Sequence, residues 1–393
     1  MEIAFVLFSN LDSGNGGVET WLKLFLDEVY KKREVYKLEK IHIYYYFNGA
    51  EVDLIGSKYD FICLNPIQVP NESGGLISNF YTYFKFHLSA LKDLKSRQHQ
   101  VKVIVSIGSY PTGIFNWFIF KLLLFRKSIY HVIWLRTTLT KFIKTLNSSV
   151  FSKLVFTLER KALKDANLII SNGWDTKKNY ISDYNIESVV IPNAIELNKY
   201  KNSKGIDKID EVIRVAFIGR FFENKGVFNF VESIKQFNAI YPDLAGKINF
   251  AFVGWGENSV EQFASETFNC TYVGKISNTK IASFLDEIHC GVALTKFNDI
   301  DPGGSGVSNG LLELMVTGKI IIAYDNQIYR QFPNEDFLVY TKENDNDQLA
   351  SIFADIVNNK NEYFLRSENA KKYVEAFSIE AHVESFFKLI EKV

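Results

Sequence analysis

The sequence predicts an α/β protein of two lobes, each a doubly wound parallel sheet, that face a cleft. The chain has 393 residues, which is too many for one ordinary core and suits two domains of roughly 200 residues each. Short apolar runs rich in β-branched residues alternate with segments that are apolar at helical spacing. A polar stretch at residues 198–210 has neither pattern, so we place the linker between the lobes there.

The first lobe, residues 1–197, opens with an apolar run at residues 3–8. Glycines at positions 14, 16 and 17 follow, and apolar residues from Val18 to Val29 then form one helical stripe. This order predicts a strand, a glycine-rich turn and a helix. Further strands of this lobe are predicted at residues 41–47, 101–107, 129–134, 168–171 and 189–192.

The second lobe, residues 198–375, repeats the alternation of strands and helices. Its strands are predicted at residues 212–218, 248–253, 271–273, 291–294, 320–324 and 337–340. Residues 376–393 carry an apolar helical face and predict a last helix.

The balance of charge argues against a nucleic-acid-binding protein. The formal net charge is zero, and charged residues make up 23% of the chain. The charge is unevenly distributed, because residues 81–165 hold fifteen Lys and Arg residues against Asp93, Glu159 and Asp165. The rest of the chain is correspondingly acidic.

Cysteine usage and the amino terminus predict a cytoplasmic protein. The three cysteines are widely spaced and odd in number, which fits a reducing compartment and gives no metal-ligand spacing. The first residues lack the basic segment and cleavage site of a signal peptide. The most apolar stretch, residues 114–125, is interrupted by Asn116 and Lys121 and is shorter than the roughly 20 residues of a spanning helix.

Two cations stand out near the start of the second lobe. Arg220 and Lys225 lie between an apolar strand that ends at Gly219 and a helical stripe that begins at Val227. Backbone N–H groups and the helix dipole favour an anion at such a position, and the two side chains add positive charge. The pattern predicts a diphosphate site. The alternative is that both are surface charges, one of them paired with Glu223.

A glycine-rich loop at residues 301–307 precedes a helix that Ser308 or Asn309 caps and Gly318 ends. Glycines there let backbone N–H groups approach an anion closely. Glu313 falls near the middle of this otherwise apolar helix. Its carboxylate therefore needs a partner, and sugar hydroxyl groups are suitable donors. The alternative is that Glu313 points to solvent.

Several short motifs follow one another along nearly the whole chain. They are Gly16-Gly-Val-Glu, Ile191-Pro-Asn-Ala, Gly219-Arg-x-x-x-x-Lys-Gly, Phe252-Val-Gly-Trp-Gly, Tyr272-Val-Gly and Ser305-Gly-Val-Ser-Asn-Gly-Leu-Leu-Glu followed by Gly318. In this order they resemble glycosyltransferase family 4. The resemblance implies the GT-B fold, in which the first of two Rossmann-like lobes binds the acceptor and the second binds the nucleotide sugar. It also implies that the last helix, at about residues 376–393, crosses back to pack on the first lobe.

The resemblance implies roles for particular residues. Arg220 and Lys225 would bind the diphosphate, Glu313 would hold the ribose, and these three are the candidate catalytic residues. The loop of Gly17 would approach the reacting centre, and main chain near Lys275 and Ile276 would meet the base. The donor-binding positions so implied are Gly16, Gly17, Gly219, Gly254, Lys275, Ile276, Ser305, Gly306, Val307, Ser308 and Asn309. The resemblance also implies retention of anomeric configuration without a metal ion or other cofactor.

One position departs from the family pattern. Members usually carry a second glutamate eight residues before the ribose carboxylate, where it contacts the donor sugar, and here that position is Ser305. Asp301 is a candidate for a displaced carboxylate. The departure leaves the donor sugar unassigned and keeps open a second interpretation, a non-catalytic nucleotide-sugar binder or assembly partner.

The basic stretch also contains many aromatic residues, which are Phe115, Trp117, Phe118, Phe120, Phe125, Phe142, Phe151 and Phe156. A surface of this composition suits anionic lipid headgroups or a diphosphate-linked lipid acceptor. The alternative is that the aromatic residues are core and the cations a solvated face. His131, on a predicted strand, either reaches the cleft or packs in the core.

We therefore predict a retaining, metal-independent glycosyltransferase of hexosyltransferase type. It would move a sugar from a nucleoside diphosphate to a lipid-linked glycan acceptor in bacterial surface polysaccharide synthesis, at the inner face of the plasma membrane and without nucleic acid as a partner. A nucleotide-sugar epimerase on the same fold fits the ordered motifs less well.

Overall fold

The computed structural model describes residues 1–11, 17–47, 59–69, 76–123, 129–136, 149–203, 212–277, 279–297, 307–330, 332 and 336–391. These residues form two compact units. Unit 1 contains the described residues from Met1 to Asn193 and from Ile379 onward, and unit 2 contains those from Ala194 to Ser378.

Unit 1 is built on a parallel sheet with the strand order β3-β2-β1-β4-β5-β6-β7. Its strands are β1 (Glu2–Asn10), β2 (Lys40–Phe47), β3 (Ile62–Gln68), β4 (Val101–Ile107), β5 (Tyr130–Leu135), β6 (Leu168–Ser171) and β7 (Val189–Val190). Its first five helices are α1 (Gly17–Lys31), α2 (Leu76–Ser96), α3 (Ile114–Leu122), α4 (Ser149–Asp165) and α5 (Trp174–Tyr184). The central strands are apolar on both faces because helices cover both sides of the sheet.

Unit 2 repeats this plan with the strand order β10-β9-β8-β11-β12-β13, again parallel. Its strands are β8 (Ile213–Phe221), β9 (Ile248–Gly256), β10 (Cys270–Gly274), β11 (Cys290–Ala293), β12 (Ile320–Tyr324) and β13 (Leu338–Thr341). Its helices are α6 (Val227–Ile240), α7 (Asn258–Glu266), α8 (Ile281–Asp286), α9 (Asn309–Val316), α10 (Asn346–Asn358) and α11 (Lys360–Val374). Short 3₁₀ helices lie at Leu197–Tyr200, Glu223–Lys225, Pro242–Lys247 and Glu375–Phe377.

The last helix, α12 (Ile379–Ile390), belongs to unit 1, as predicted. Its Phe386 ring packs edge-on against Phe25 of α1, with ring centroids 5.5 Å apart, and stacks on Trp134 of β5 at 5.4 Å. Burial of these large rings fixes the helix on its sheet. Across the part of the chain that the structure describes, no helix combines the length and apolar character needed to cross a bilayer.

Two features differ from the sequence prediction. Strand β3 was not predicted, because it contains Pro66 and is only half-buried, as suits its position at the edge of the sheet. The segment predicted as a linker begins with a 3₁₀ helix whose Tyr200 is buried in the core of unit 2. Residues 204–211 of that segment lie outside the described residues.

Each sheet has one point where the strand order reverses. In unit 2 the chain moves outward from β8 to β10 and then returns to place β11 on the other side of β8. The loops that follow β8 and β11 therefore diverge and leave a crevice at the carboxyl ends of these strands. Ligands of doubly wound sheets bind at such switch points.

Candidate functional site

The carboxyl end of β8 is held close to β9 by glycine. Gly219 and Arg220 pair in register with Gly254 and Trp255. Gly254 has φ +148°, and a Cβ on it would lie 1.7 Å from the carbonyl oxygen of Gly219. Only glycine permits both this backbone conformation and this approach. The two strand ends therefore present backbone to a ligand at the position where Arg220 emerges.

Arg220 is exposed and lies beside aromatic rings. Its guanidinium carbon is 5.5 Å from the centroid of the Phe222 ring. Phe222 in turn packs edge-on against Trp255 at 5.8 Å, and the Trp255 side chain is half exposed. The end of β8 thus offers a cation and an aromatic surface to solvent, which suits a charged ligand that also carries flat rings.

Lys225 ends a one-turn 3₁₀ helix immediately before α6. The next residue, Gly226, has φ +74°, and a Cβ on it would lie 2.3 Å from the carbonyl oxygen of Leu294. The main-chain N–H of Lys296 donates to the carbonyl oxygen of Asn224 at 3.0 Å. The turn that carries Lys225 is therefore fixed on the segment that follows β11, directly at the switch point.

Glu223 forms an ion pair with Lys296. The alternative was that one of the two cations, Arg220 or Lys225, pairs with Glu223. The partner of this carboxylate among the described residues is Lys296 instead. Lys296 brings a third cation to the same turn, and sequence reasoning missed it because its contact with Glu223 spans 73 positions of the chain.

Helix α9 starts beside β8. Ser308 is its N-cap, and the Ser308 hydroxyl accepts from the N–H of Leu311 at 3.2 Å. Val307 is buried, and Asn309 is the first helical residue. A Cβ on Gly310 would lie 3.8 Å from the carbonyl oxygen of Ile218 in β8. The amino-terminal turn of α9 is therefore next to the strand that carries Arg220.

Glu313 is half-buried in α9 and does not simply point to solvent. The hydroxyl of Tyr200 donates to Glu313 Oε1 at 3.1 Å. Burial raises the pKa of the Glu313 carboxyl, whereas the charge of Lys199 and the Tyr200 hydrogen bond oppose that rise. Burial likewise lowers the pKa of Lys199, against the attraction of Glu313. The carboxylate thus already has one donor and retains acceptor capacity for others.

The remaining predicted positions fall in three groups. Lys275 and Ile276 follow β10, and Lys275 is exposed while Ile276 packs on the core of unit 2. Gly17 begins α1 in unit 1. Gly16, Asp301, Ser305 and Gly306 lie outside the described residues.

His131 of β5 is a core residue. Its Nε2 hydrogen-bonds the hydroxyl of Ser106 at 2.8 Å, and the Phe120 ring packs edge-on against it. Burial lowers the pKa of His131 to about 3, so the ring is neutral at pH 7. Of the two roles considered for it, the packed one is correct.

The two doubly wound parallel sheets and the return of the last helix to unit 1 define the GT-B fold of glycosyltransferases. Residues 213–359 match the family model described as Glycosyl transferases group 1. The chain is also 25% identical over 265 residues to the uncharacterized glycosyltransferase MJ1069 of Methanocaldococcus jannaschii. That alignment covers 64% of this chain and spans only 62% of the relative. These findings support a glycosyltransferase.

Solved structures share the fold over the whole chain. A sucrose-phosphate synthase from Thermosynechococcus elongatus superposes with a TM-score of 0.72 at 16% identity, covering 100% of this chain and 98% of the other. The protein HepE of Anabaena, in complex with UDP and glucose, gives 0.70 at 14% identity with full coverage of both chains. A structure from E. coli described as trehalose-6-phosphate bound with UDP-2-fluoro glucose gives a TM-score of 0.72 at 10% identity, covering 100% of this chain and 99% of the other.

Proposed function

We propose that the protein is a retaining, metal-independent hexosyltransferase that uses a nucleoside diphosphate sugar and a lipid-linked glycan acceptor in bacterial surface polysaccharide synthesis. The observation that carries the proposal is the set of groups at the end of β8. Arg220, the turn of Lys225 and the start of α9 all lie at the switch point of unit 2. Unit 2 would bind the donor, and unit 1 the acceptor.

The chemistry of the donor follows from charge. Arg220 and Lys225 would bind the diphosphate and stabilise the negative charge that develops as the glycosidic bond breaks. They would thereby supply the positive charge that a metal ion supplies in other transferases. The Glu313 carboxylate would accept hydrogen bonds from the ribose hydroxyls. Two of the similar structures hold UDP with glucose or a fluorinated UDP-glucose, which supports a UDP-hexose as the first donor to test.

The donor site is tested by the double variant R220Q/K225Q. Thermal unfolding with UDP and UDP-glucose should show stabilisation of the unchanged protein by mass action. Losing two charge-assisted contacts should weaken UDP binding roughly a hundredfold or more. Sugar transfer and slow donor hydrolysis should fall with it, and EDTA should not reduce either rate in the unchanged protein.

Arg214 supplies the matched control, because it is exposed and lies in the same strand at the opposite end. R214Q should bind UDP as the unchanged protein does. Equal UDP affinity in R220Q/K225Q and R214Q would contradict the proposed donor site.

Three neighbouring helices of unit 1 support the lipid-linked acceptor. We define the lipid surface by the large apolar and aromatic side chains on α2, α3 and α4 that are at least half exposed, which are Phe80, Tyr81, Phe118, Leu122, Val150 and Leu154. A cavity of about 230 Å³ opens between these helices, and its lining is mostly apolar. Of the aromatic residues predicted for this surface, Phe115 is buried and Phe118 is half exposed.

Cations flank this surface. Helix α4 presents Lys153, Arg160, Lys161 and Lys164 to solvent. Exposed apolar and aromatic side chains next to Lys and Arg suit the interface of an anionic membrane. We propose that the lipid surface binds such a membrane and brings unit 1 to its acceptor.

Flotation with phosphatidylglycerol vesicles tests the lipid surface. The protein should float with them at low salt and less so at high salt. L154E should weaken binding about tenfold or more, because burial of one leucine contributes roughly 1.5–3 kcal/mol. L365E is the control, since Leu365 is an exposed leucine of α11 in unit 2. Equal flotation of the two variants would remove the membrane proposal.

A non-catalytic nucleotide-sugar binder is the second candidate, and Ser305 favours it. Both candidates predict UDP-sugar binding that R220Q/K225Q weakens. Only the enzyme hydrolyses or transfers the donor sugar. Mutation of Asp301 to Ala tests the displaced carboxylate, and unchanged turnover would reject that role.

A further inference from the structure

Arg136 follows β5 directly, at the carboxyl end of the sheet of unit 1. Because side chains alternate along a strand, it shares a face with Trp134. Its guanidinium carbon lies 4.3 Å from the centroid of the Trp21 ring and 6.0 Å from that of Trp134. Its carbonyl oxygen accepts from Asn172 Nδ2 at 3.1 Å. The side chain and the backbone of Arg136 are thus both held in place.

The polar groups beside Arg136 are neutral and do not balance its positive charge. Trp21 Nε1 donates to His382 Nε2 at 2.9 Å, and His382 Nδ1 then donates to the carbonyl oxygen of Pro192 at 2.8 Å. This chain of hydrogen bonds requires a neutral imidazole. Burial first, and then the charge of Arg136, lower the pKa of His382 to about 3. His382 is therefore neutral, and both of its ring nitrogens already form hydrogen bonds.

Two buried donors of this cluster have no hydrogen-bond partner among the residues that the structure describes. They are Nη1 of Arg136 and Nε1 of Trp134. Among the carboxylates of the described residues, none forms an ion pair with Arg136. Burial lowers the pKa of Arg136 to about 9, which still leaves it charged at neutral pH. A buried charge without a counter-charge is unfavourable unless a ligand supplies one.

The Arg136 side chain also keeps access to solvent, since it is only half-buried as a whole. Nη1 itself is buried, so we expect a ligand to approach the guanidinium from the exposed part of the side chain. A guanidinium presents donors in a planar fork that matches a phosphate. Aromatic rings that hold it in place reduce the entropy lost on binding.

We propose that Arg136 binds a phosphate group of the acceptor, with the rings of Trp21 and Trp134 fixing the guanidinium for it. The inference rests on the proposed function, in which unit 1 binds an acceptor linked to a phosphorylated lipid. It assigns to unit 1 an anion subsite separate from the donor residues of unit 2. An acceptor that lacks phosphate would not use it.

The test measures phosphate binding in the R220Q/K225Q background, where the donor residues no longer contribute. Inorganic phosphate and octyl phosphate should each raise the melting temperature of this protein. Adding R136M to this background should weaken the binding of both ligands roughly tenfold to a hundredfold. If octyl phosphate binds more tightly than inorganic phosphate, the ligand is a phosphate ester on an apolar chain, as a lipid-linked acceptor requires.

The stability of R136M without phosphate separates binding from packing. Removing an unpaired buried charge should leave the melting temperature unchanged or raise it. A large fall in melting temperature together with an unchanged phosphate response would show a structural cation–π role and overturn the proposal. R136K covers the case in which R136M does not fold, because it retains charge but loses the planar fork. Undiminished phosphate affinity in R136K would also overturn it.

Arg33 is the matched control in unit 1. Its guanidinium also lies over an aromatic ring, 5.0 Å from the centroid of Phe61, but it forms an ion pair with Asp60 at 3.1 Å. R33M should therefore leave the phosphate response intact. UDP binding to R136M, with Arg220 and Lys225 in place, is measured separately. Absence of UDP binding to the unchanged protein would refute the donor site. Absence of a phosphate response in R220Q/K225Q, before R136M is added, would refute only the Arg136 subsite.

Discussion

The ionisation of Glu313 depends on Tyr200. Burial of the carboxyl favours its neutral form and so raises its pKa, while the hydroxyl of Tyr200 and the charge of Lys199 favour the carboxylate. The carboxylate accepts more strongly from ribose hydroxyls than the neutral acid does, because its hydrogen bonds are charge-assisted. We therefore regard Tyr200 as a positioning residue, which acts on the donor through Glu313.

The variant Y200F tests this relation. Without the hydroxyl, the pKa of Glu313 should rise further, and less carboxylate should be present at a given pH below neutrality. UDP binding should consequently weaken at a higher pH in Y200F than in the unchanged protein. Removing one hydrogen bond to a charged group should weaken binding by roughly 1.5–3 kcal/mol at the most affected pH. Calorimetric titration with UDP between pH 5 and pH 8 measures the effect.

Tyr363 of α11 gives the control, because it donates to the carboxylate of Asp355 within the same unit. Y363F should leave the pH dependence of UDP binding unchanged. An identical acid limb in Y200F and the unchanged protein would show that Tyr200 does not act through Glu313.

Sequence reasoning found the charged residues of the site but not their partners. Arg220 and Glu313 stand out because each is a charge at the border of, or within, an apolar element. Tyr200 lies 113 positions from Glu313, in a segment without periodicity. Contacts between such distant positions form only when the sheet assembles, so no local sequence pattern predicts them.

At the scale of elements, predictions were best where helices cover both faces of a strand. Residues 101–107 and 320–324 were predicted as strands with the bounds that β4 and β12 have. Residues 320–324 are an uninterrupted run of buried residues, and in residues 101–107 only Lys102 and Ser106 are polar, which reflects burial on both faces. Strand β3 is an edge strand that tolerates Pro66 and polar residues, so its sequence lacks this signal.

The ends of β8 and β9 can be tested by adding one methyl group. In G254A the new Cβ would collide with the carbonyl oxygen of Gly219, and the backbone would keep an unfavourable positive φ. Unfolding free energy should fall by about 2 kcal/mol or more. UDP binding should weaken as well, because the strand end that carries Arg220 must move. Urea unfolding and UDP titration measure the two effects.

Gly246 provides the contrasting position, because a Cβ there would meet no atom within 4 Å. G246A should leave UDP binding unchanged and alter stability by less than about 1 kcal/mol. Similar effects of the two substitutions would contradict the role given to the close approach of Gly219 and Gly254.

At the scale of the whole molecule, the two units differ in their ionisable groups. Unit 1 contains the basic stretch and four buried histidines, of which His87, His131 and His382 have lowered pKa values, whereas unit 2 contains the candidate donor residues and the buried His289. Burial lowers the pKa of each of these three histidines to about 3. We therefore expect acid to destabilise unit 1 through these three histidines.

The sign of that effect follows from proton binding. Between about pH 6.5 and pH 3 an unfolded histidine binds a proton that the folded one excludes. Stability is therefore complete above pH 6.5 and is lost as pH falls below it. Going from pH 7.5 to pH 5.5 should cost about 1.4 kcal/mol for each of the three histidines. Urea unfolding followed by tryptophan fluorescence measures the loss, and the signal comes mainly from unit 1, which contains four of the five tryptophans.

The variant H87Q measures the part of this loss of unfolding free energy that comes from His87. Glutamine can still donate to the carbonyl oxygen of Tyr83, as His87 does at 2.6 Å, but it cannot take up a proton. The difference in unfolding free energy between pH 7.5 and pH 5.5 should shrink by about 1.4 kcal/mol, whatever the effect on stability at pH 7.5. H99Q, at an exposed histidine, should leave that difference unchanged. If H87Q and H99Q show the same pH dependence, then His87 is protonated in the folded state and its burial does not set the acid limit of unit 1.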